Sequence, residues 1–329
     1  MRRLIVIAVV ALGLAPGTWL RDAPKADDLR PLLHAEDLDA GRGTAGQLSV
    51  EGVWHLTSPN TRFHGYSGIA AIAPDDLLAI SDMGHWLRFA PPGNDRLPRF
   101  GDLARVKMGD KRQVDAESVT YDPASRHIWI GYEGTNTIER SGLAMAKPKR
   151  AKPESMRGWW NNSGPEAMAR LPDGRFLVIG EGSEDWFGGG KPALLFDRDP
   201  VEDGEPLQFG FSAPEGFSAT DIAPLRDGRV LILMRKIEGV IPPRFSAKIA
   251  LADPAQIERG KEWQGQVIAT IEEPMPSDNF EGLTAVPRRD GSYTLWMISD
   301  DNGAALQRTL LYRLHWAPQP PAAKRPPGG

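Results

Sequence analysis

Residues 281–302 read EGLTAVPRRDGSYTLWMISDDN, and four other stretches of the chain repeat their pattern. In each stretch a carboxylate or hydroxyl residue opens a short apolar strand, a turn follows, and a second strand ends in polar residues. The other stretches are SGIAAIAPDDLLAISDMG from Ser67, ESVTYDPASRHIWIGYEG from Glu117, EAMARLPDGRFLVIGEGS from Glu166 and TDIAPLRDGRVLILMRK from Thr220. Internal repetition on this scale is typical of architectures in which each repeat forms one structural unit.

The spacing of the repeats predicts a β-propeller. The aligned opening residues are Ser67, Glu117, Glu166, Asp221 and Glu281, which lie 50, 49, 55 and 60 residues apart. Tandem units of roughly 40 to 50 residues, each rich in strand formers, are typical of propeller blades. Asp-Gly pairs in three of the turns indicate tight hairpins, since glycine adopts the positive φ that such turns need. The sequence therefore predicts a single all-β propeller of five blades, with six as the alternative.

The strands also predict how the ring closes. The second strands LLAIS, IWIGY, FLVIG, VLILM and LWMIS are apolar without alternation, as expected for strands buried on both faces between neighbouring blades. The fifth repeat runs out of chain after its third strand. The stretch LSVEGVWHL from Leu48 belongs to no repeat, so we expect it to supply the missing outer strand and close the ring.

Composition agrees with one turn-rich β domain. The 329 residues include 35 Gly and 29 Pro, and 41% of them are hydrophobic, which is enough for a sizeable core. The formal charge of −4 provides no basic surface for nucleic acid, so no nucleic-acid partner is expected. The absence of cysteine excludes disulfides and thiolate-bound zinc.

The first twenty residues predict export. Two arginines precede an apolar run that ends at Leu14, and small and then polar residues follow, which is the pattern of a secretory signal peptide. Pro16 follows the best cleavage position, so an uncleaved N-terminal anchor over residues 1–20 is the alternative. We expect a periplasmic or secreted protein with no other membrane segment. A linker is predicted over 21–45, the propeller over 46–316 and a disordered tail over 317–329.

Five sequence blocks carry a family resemblance. They are, in chain order, FHGYSGIA, DAESVTYD, NSGPEAMARLPDG, GFSATDIAPLRDGRVLIL and DNFEGLTAV. Together they resemble the phytase-like family, also described as "esterase-like activity of phytase", a group of exported bacterial proteins. The resemblance spans about residues 45–316 and implies hydrolysis of ester or phosphoester bonds in a small-molecule substrate. It supplies no assigned catalytic residues, so the site is predicted from position in the fold.

The residues that open the repeats are expected to form an inner ring, because the first strand of each blade lines the channel of a propeller. Four of the five positions are acidic: Glu117, Glu166, Asp221 and Glu281. Neighbouring carboxylates repel one another unless they are protonated or bound to a cation. These four are therefore predicted to ligate Ca²⁺, which takes six to eight oxygen ligands in flexible geometry. The alternative is structural, since such an acid can also hydrogen-bond the backbone of a neighbouring blade.

A second polar set is predicted at the ends of the second strands, which lie beside the starts of the first strands because the two run antiparallel. The residues predicted to handle protons or water are Asp82, Glu133, Glu181, Asp300 and His64. Arg235, His85 and Trp186 are predicted to bind substrate, Arg235 by a bidentate contact with a phosphate or carboxylate. An ion pair between Arg235 and Glu181 or another ring acid is the alternative.

Two classes of function fit this pattern. The first is a metal-dependent hydrolase of esters or phosphoesters. The second is a non-catalytic binding propeller with a structural metal, whose polar face recognises a ligand or protein. Loop residues that we expect to be exposed suit either class, as walls of a pocket or as anchors of an interface: Trp159, Trp160, Trp186 and Phe187. A nucleophile elbow is excluded because Ile69 stands where that motif needs its second glycine. A P-loop is excluded because Pro192 stands where it needs Ser or Thr.

Overall fold

Five antiparallel sheets arranged in a ring form a five-bladed β-propeller, as the repeats predict. The computed structural model describes residues 28–39, 42–104, 111–159, 164–182, 190–202, 204–239 and 243–318. The predicted signal peptide or anchor over 1–20 lies outside the described residues, as do Trp186 and most of the predicted tail. No helix within these ranges is long and apolar enough to cross a bilayer.

The strands are numbered in chain order. Three precede the first repeat: β1 (His34–Asp37), β2 (Gly43–Ala45) and β3 (Leu48–Thr57). The first blade contains β4 (Tyr66–Ala73), β5 (Asp76–Ser81), β6 (His85–Phe89) and β7 (Arg99–Asp102). The second contains β8 (Ala116–Asp122), β9 (His127–Tyr132), β10 (Thr137–Gly142) and β11 (Lys149–Ala151), with the short helix α1 (Lys111–Val114) before it.

The third blade contains β12 (Pro165–Arg170), β13 (Phe176–Gly180), β14 (Lys191–Phe196) and β15 (Leu207–Phe211). The fourth contains β16 (Ser218–Pro224), β17 (Val230–Glu238), β18 (Arg244–Ala252) and β20 (Gln266–Ile271). Between β18 and β20, β19 (Glu262–Trp263) pairs in parallel with β15 and so ties the two blades together. The fifth contains β21 (Asn279–Pro287), β22 (Tyr293–Asp300) and β23 (Thr309–Trp316), completed by β3. Single 3₁₀ turns lie at Glu154–Met156 and Pro254–Gln256.

The ring closes through the N-terminal strand, which confirms the predicted closure. β3 pairs antiparallel with β23, with Val53 opposite Tyr312 and Leu56 opposite Thr309. The outer edge of this blade extends further than predicted, because β1 and β2 both pair with β3. Part of the segment predicted as a linker over 21–45 is therefore strand.

The core lies between the blades, because each sheet buries both of its faces against its neighbours. β5 and β13, the strands LLAIS and FLVIG, are buried along these stretches, as their continuous apolar sequence requires. The Asp-Gly hairpins form as predicted, with φ of +90° at Gly228 and +85° at Gly291. Neighbouring first strands are also joined by hydroxyl groups. Ser118 Oγ donates to the carbonyl of Pro165 at 2.6 Å, and Thr220 Oγ1 donates to the carbonyl of Phe280 at 3.2 Å.

A β-bulge interrupts the start of the first strand in every blade. The pairing with the second strand skips one residue each time, and the skipped residues are Ser67, Glu117, Glu166, Thr220 and Glu281. A bulge leaves its extra residue out of the ladder and re-aims the side chain. The structurally equivalent position in the fourth blade is therefore Thr220, and the alignment of Asp221 with the other opening residues was one position too late.

Candidate functional site

The polar ends of the first and second strands lie together at one end of the channel, as the antiparallel pairing predicts. Asn279 on β21 lies opposite Asp300 on β22, and Ser218 on β16 lies opposite Arg235 on β17. In the second blade the backbone N–H of Glu133 donates to the carbonyl of Asp115 at 2.9 Å. This end of the propeller, which we call the acidic end, collects the predicted carboxylates.

Two groups of three carboxylates form within the acidic end, among the residues that the structure describes. One contains Asp115, Glu117 and Glu133, and the other contains Glu133, Glu166 and Glu181. In each group one oxygen per residue lies within 4.8 Å of the others. The groups therefore combine residues of the predicted inner ring with residues of the predicted outer set, and Glu133 belongs to both.

Glu133 reaches the third blade because a glycine lies against it. A Cβ atom at Gly164, just before β12, would lie 2.2 Å from Glu133 Cα. Only a residue without a side chain allows the entry to the third blade to pack this closely on the end of the second. The close approach brings Glu133 of the second blade to Glu166 and Glu181 of the third.

The pKa values of Glu117, Glu133 and Glu166 are raised. Burial raises the pKa of Glu117 well above its ordinary value, and the charges of Glu166 and Asp115 raise it further. Burial and then the charges of Glu133 and Glu181 do the same for Glu166. The pKa of Glu133 rises from 4.5 to about 7, chiefly through burial. Buried like charges of this kind favour bound protons or a bound cation.

The donor set fits Ca²⁺. Oε1 of Glu166 is buried and accepts no hydrogen bond from any residue described. This carboxylate oxygen is therefore not occupied by a hydrogen-bond donor. All the candidate ligands are carboxylate oxygens, which a hard cation such as Ca²⁺ prefers.

Asp221 does not belong to either carboxylate group. Its Oδ1 accepts from the N–H of Ile222 at 2.8 Å, and its Oδ2 accepts from the N–H of Leu283 on the neighbouring blade at 2.7 Å. Both oxygens therefore accept hydrogen bonds from the backbone. This is the structural role given above as the alternative to Ca²⁺ binding. Asp221 joins the fourth blade to the fifth.

We expect Asp221→Asn to destabilise the fold without changing its affinity for Ca²⁺. The amide presents an N–H group where a buried backbone N–H needs an acceptor, and an unsatisfied buried donor costs about 1–3 kcal/mol. Urea denaturation measures the loss, with Asp227→Asn in an exposed turn as the matched control. A variant as stable as the wild type, or one with lost Ca²⁺ affinity, would contradict this role.

Glu281 is held by a cation and an amide. Nη1 of Arg235 donates to Oδ1 of Asn279 at 2.8 Å, and Nη2 of Arg235 lies 3.4 Å from Oε1 of Glu281. Nδ2 of Asn279 donates to the same Glu281 oxygen at 2.9 Å. Arg235 therefore forms an ion pair with a ring acid. This is the role that the sequence left open as the alternative to substrate binding. Burial nevertheless raises the pKa of Glu281 from 4.5 to about 7, against the opposing effect of Arg235.

This pKa shift predicts that the cation-free protein loses stability as the pH rises. The folded state binds the Glu281 proton more tightly than the unfolded state, so its contribution is complete below pH 4.5 and is lost as the pH passes about 7. A shift of this size corresponds to roughly 3 kcal/mol. Urea denaturation at pH 5 and pH 8 of metal-depleted protein measures the fall, and Glu281→Gln should reduce it. An unchanged fall in that variant would refute the assignment to Glu281.

Asp300 and its neighbours complete this end of the channel. Asp300 is 5% exposed, and its Oδ1 accepts from the N–H of Asn302 at 2.6 Å. Burial, and next the charges of Asp82 and Glu281, raise the pKa of Asp300 well above its ordinary value. Asp301 instead ties the fifth blade to the first, because its Oδ1 accepts from the N–H of Gly65 at 3.1 Å.

His64 and His85 lie together at the rim of the first blade. Their ring centroids are 6.2 Å apart, and Nδ1 of His85 lies 3.0 Å from Oδ1 of Asp102. Arg62 donates two hydrogen bonds to the same carboxylate, at 2.6 and 2.9 Å. Burial lowers the pKa of His85 despite the opposing effect of Asp102, so the imidazole is neutral at pH 7.

The aromatic residues predicted to be exposed are only partly described. Trp159 is 5% exposed and packs in the core with Met156 and Met168, so its predicted exposure is wrong. Trp160, Phe187 and the predicted substrate-binding Trp186 lie outside the described residues.

Comparison with known proteins identifies the family. The family model described as "Esterase-like activity of phytase" matches residues 61–303, well over half of the chain. The chain belongs to the phytase-like family. No curated protein matches it.

Solved structures resemble this phytase-like propeller only distantly. Hydrazine synthase of Kuenenia stuttgartiensis is 13% identical with a TM-score of 0.40, over 72% of this chain and 57% of that one. The WD40 propeller domain of Doa1 is 12% identical with a TM-score of 0.38, over 84% and 100%. A chain of a nidogen/laminin complex is 12% identical with a TM-score of 0.42, over 86% and 97%. None of the three bears on the chemistry of the phytase-like chain.

Sequence reasoning missed three polar residues of the phytase-like site. Asp115 completes one carboxylate group, Asp102 contacts His85, and Asn279 contacts Glu281. Asp115 and Asn279 each lie two residues before a bulged glutamate, at Glu117 and Glu281, and that shared spacing was visible in the sequence. Asp102 carries no such signal, because it reaches His85 only through the pairing of β7 with β6.

Proposed function

We propose that this phytase-like propeller is a Ca²⁺-dependent hydrolase of ester or phosphoester bonds that works at its acidic end. The observation that carries the proposal is the pair of carboxylate groups that share Glu133. Joining the blades does not require these acids, because hydroxyl groups and Asp221 already join neighbouring first strands. Acids in excess of structural need, with raised pKa values, are typical of functional sites.

The two carboxylate groups would hold the cation. Their oxygens come from Asp115, Glu117, Glu133, Glu166 and Glu181. When bound there, Ca²⁺ would polarise the phosphoryl or carbonyl oxygen of the substrate and neutralise developing negative charge. This assignment gives Glu133 and Glu181 a binding role in place of the proton-transfer role that their positions predicted.

Proton transfer falls to residues outside the two groups. Burial raises the pKa of Asp300 well above its ordinary value and so favours its protonated form, which makes it the candidate to donate a proton to the departing alcohol oxygen. His85 is neutral and its Nδ1 faces Asp102, which leaves Nε2 to accept a proton from water. Asp82 and His64 are the remaining candidates for proton transfer. Arg235 positions Glu281 through their ion pair.

We also propose that the protein acts outside the cytoplasm on a small-molecule substrate. The signal-like N-terminal sequence supports export, and the family description supports ester or phosphoester chemistry. The acidic end favours a negatively charged substrate that can bind to a cation held there.

A substrate panel with matched variants tests the activity. Purified protein with Ca²⁺ is assayed on carboxyl esters, lactones and phosphomonoesters. Asp300→Asn should lower kcat roughly 10² to 10⁴-fold, the usual contribution of a general acid. Its Ca²⁺ content should not change. The control is Glu205→Gln, because Glu205 is an exposed acid in the loop between β14 and β15 and belongs to neither carboxylate group.

The outcome separates the two classes of function. Turnover that depends on both Ca²⁺ and Asp300 supports the hydrolase. Bound Ca²⁺ without turnover on any of the three substrate types supports the binding propeller with a structural metal.

A further inference from the structure

A second concave surface lies at the end of the propeller opposite the carboxylates. The turns between the first and second strands lie at that end, and those of the first and fifth blades enclose a cleft of about 550 Å³. The lining of the cleft includes Glu51, Arg288, Arg289, Trp296 and Arg313, together with prolines at positions 74, 91, 92 and 287. The cleft therefore forms where the ring closes.

The cleft holds more positive charge than its own acids neutralise. Oε2 of Glu51 lies 2.8 Å from Nη2 of Arg288 and 3.3 Å from Nε of Arg313, so one carboxylate serves two guanidinium groups. Arg289 is exposed and forms no ion pair with a described residue. The other acid in the lining, Asp75, lies 4.0 Å from Arg96, which is not part of the cleft. The cleft is therefore locally positive, although the whole chain carries a formal charge of −4.

Two of the three arginines, Arg288 and Arg313, are held in place before any ligand binds. Nε of Arg288 donates to Oγ1 of Thr294 at 2.7 Å, and the guanidinium of Arg313 lies 5.5 Å from the ring centroid of Trp54. Contacts of this kind fix the planar donor group and so reduce the entropy lost on binding an anion.

We propose that this cleft binds a small organic oxyanion, a carboxylate or a phosphate monoester attached to an apolar body. The arginines recognise the oxygens by charge-assisted hydrogen bonds. The prolines provide apolar walls for the rest of the molecule. A concave site of a few hundred Å³ that combines apolar walls with converging polar groups is the ordinary form of a small-molecule site.

Calorimetric titration with phenyl phosphate, benzoate and inorganic phosphate tests this site. The protein is first depleted of metal, so that a cation at the acidic end cannot bind the same anions. We expect binding in the millimolar range or tighter, with phenyl phosphate and benzoate tighter than inorganic phosphate because only they contact the apolar walls. If inorganic phosphate binds as tightly as the other two, the apolar part of the proposal is wrong.

The fourth blade offers a matched control variant. Arg289 precedes Asp290-Gly291 in its hairpin as Arg226 precedes Asp227-Gly228, and both turns contain the same backbone hydrogen bonds. Arg289→Ala should weaken binding by about tenfold or more, the effect of losing one charged contact. Arg226→Ala should leave the Kd within about twofold of the wild type. No heat of binding with any of the three anions, or equal effects of the two variants, would overturn the proposal.

Discussion

Ca²⁺ at a hundredfold excess over its Kd is expected to raise the free energy of unfolding by about 2.7 kcal/mol, and Glu166→Gln should remove most of that gain. The gain arises because a ligand that binds only the folded state stabilises it. Glu166 is the residue most dependent on a cation, since its Oε1 is buried without a hydrogen bond and Glu133 and Glu181 lie beside it. In metal-free protein the Gln variant should be as stable as the wild type or more stable, because it removes one of the repelling charges.

Thermal and urea unfolding with Ca²⁺ and with chelator measure these differences. Glu281→Gln is the matched control, because Glu281 is a bulged opening residue like Glu166 but belongs to neither carboxylate group. It should keep most of the Ca²⁺-dependent gain. Equal loss of the gain in both variants would favour a ring of opening residues around one central ion. If Ca²⁺ does not change the stability of the wild type, the folded protein does not bind the ion at this site.

Deleting residues 46–57 is expected to abolish folding. The deleted segment includes β3, which carries Leu48, Val50, Val53, Trp54 and Leu56, all buried. Burial of each such side chain contributes about 1.5–3 kcal/mol, so their sum is comparable to the 5–15 kcal/mol of a whole domain. The deletion also exposes the edge of β23, and an unpaired edge favours aggregation.

A single substitution provides a graded test of the same closure. Leu56 packs in a cluster that contains side chains of the first and fifth blades. Leu56→Ala should lower the free energy of unfolding by about 2–5 kcal/mol. His55→Ala on the same strand, with its side chain 28% exposed, should cost much less. A truncation after Ala317 is the control for the deletion. If the 46–57 deletion melts like the full chain, β3 does not close the ring in solution.

The fold was readable from sequence because repetition fixes it redundantly. Five similar units, three Asp-Gly turns and an unpaired apolar strand at Leu48 all indicate the same ring. An error at one residue does not change that conclusion. Misalignment of Asp221 with Glu166 left the number of blades, their order and the closing strand correct.

The site was less readable because it depends on single-residue register and on contacts between blades. A bulge decides which of Thr220 and Asp221 leaves the ladder, and both are polar residues before the same apolar run. The central position of Glu133 depends on the approach of Gly164 from the next blade, which no local pattern encodes. Sequence placed the correct residue types at the correct end, and the structure determines which of them form groups.

The most direct test of the cation site is long-wavelength anomalous diffraction from crystals grown with CaCl₂. We predict a calcium peak within about 2.3–2.6 Å of carboxylate oxygens of Glu133 and Glu166, the usual Ca²⁺–oxygen distance. The same peak should be missing from crystals of Glu166→Gln. Wild-type crystals without an anomalous peak between these carboxylates, or with a peak ligated by Asp221 instead, would contradict it.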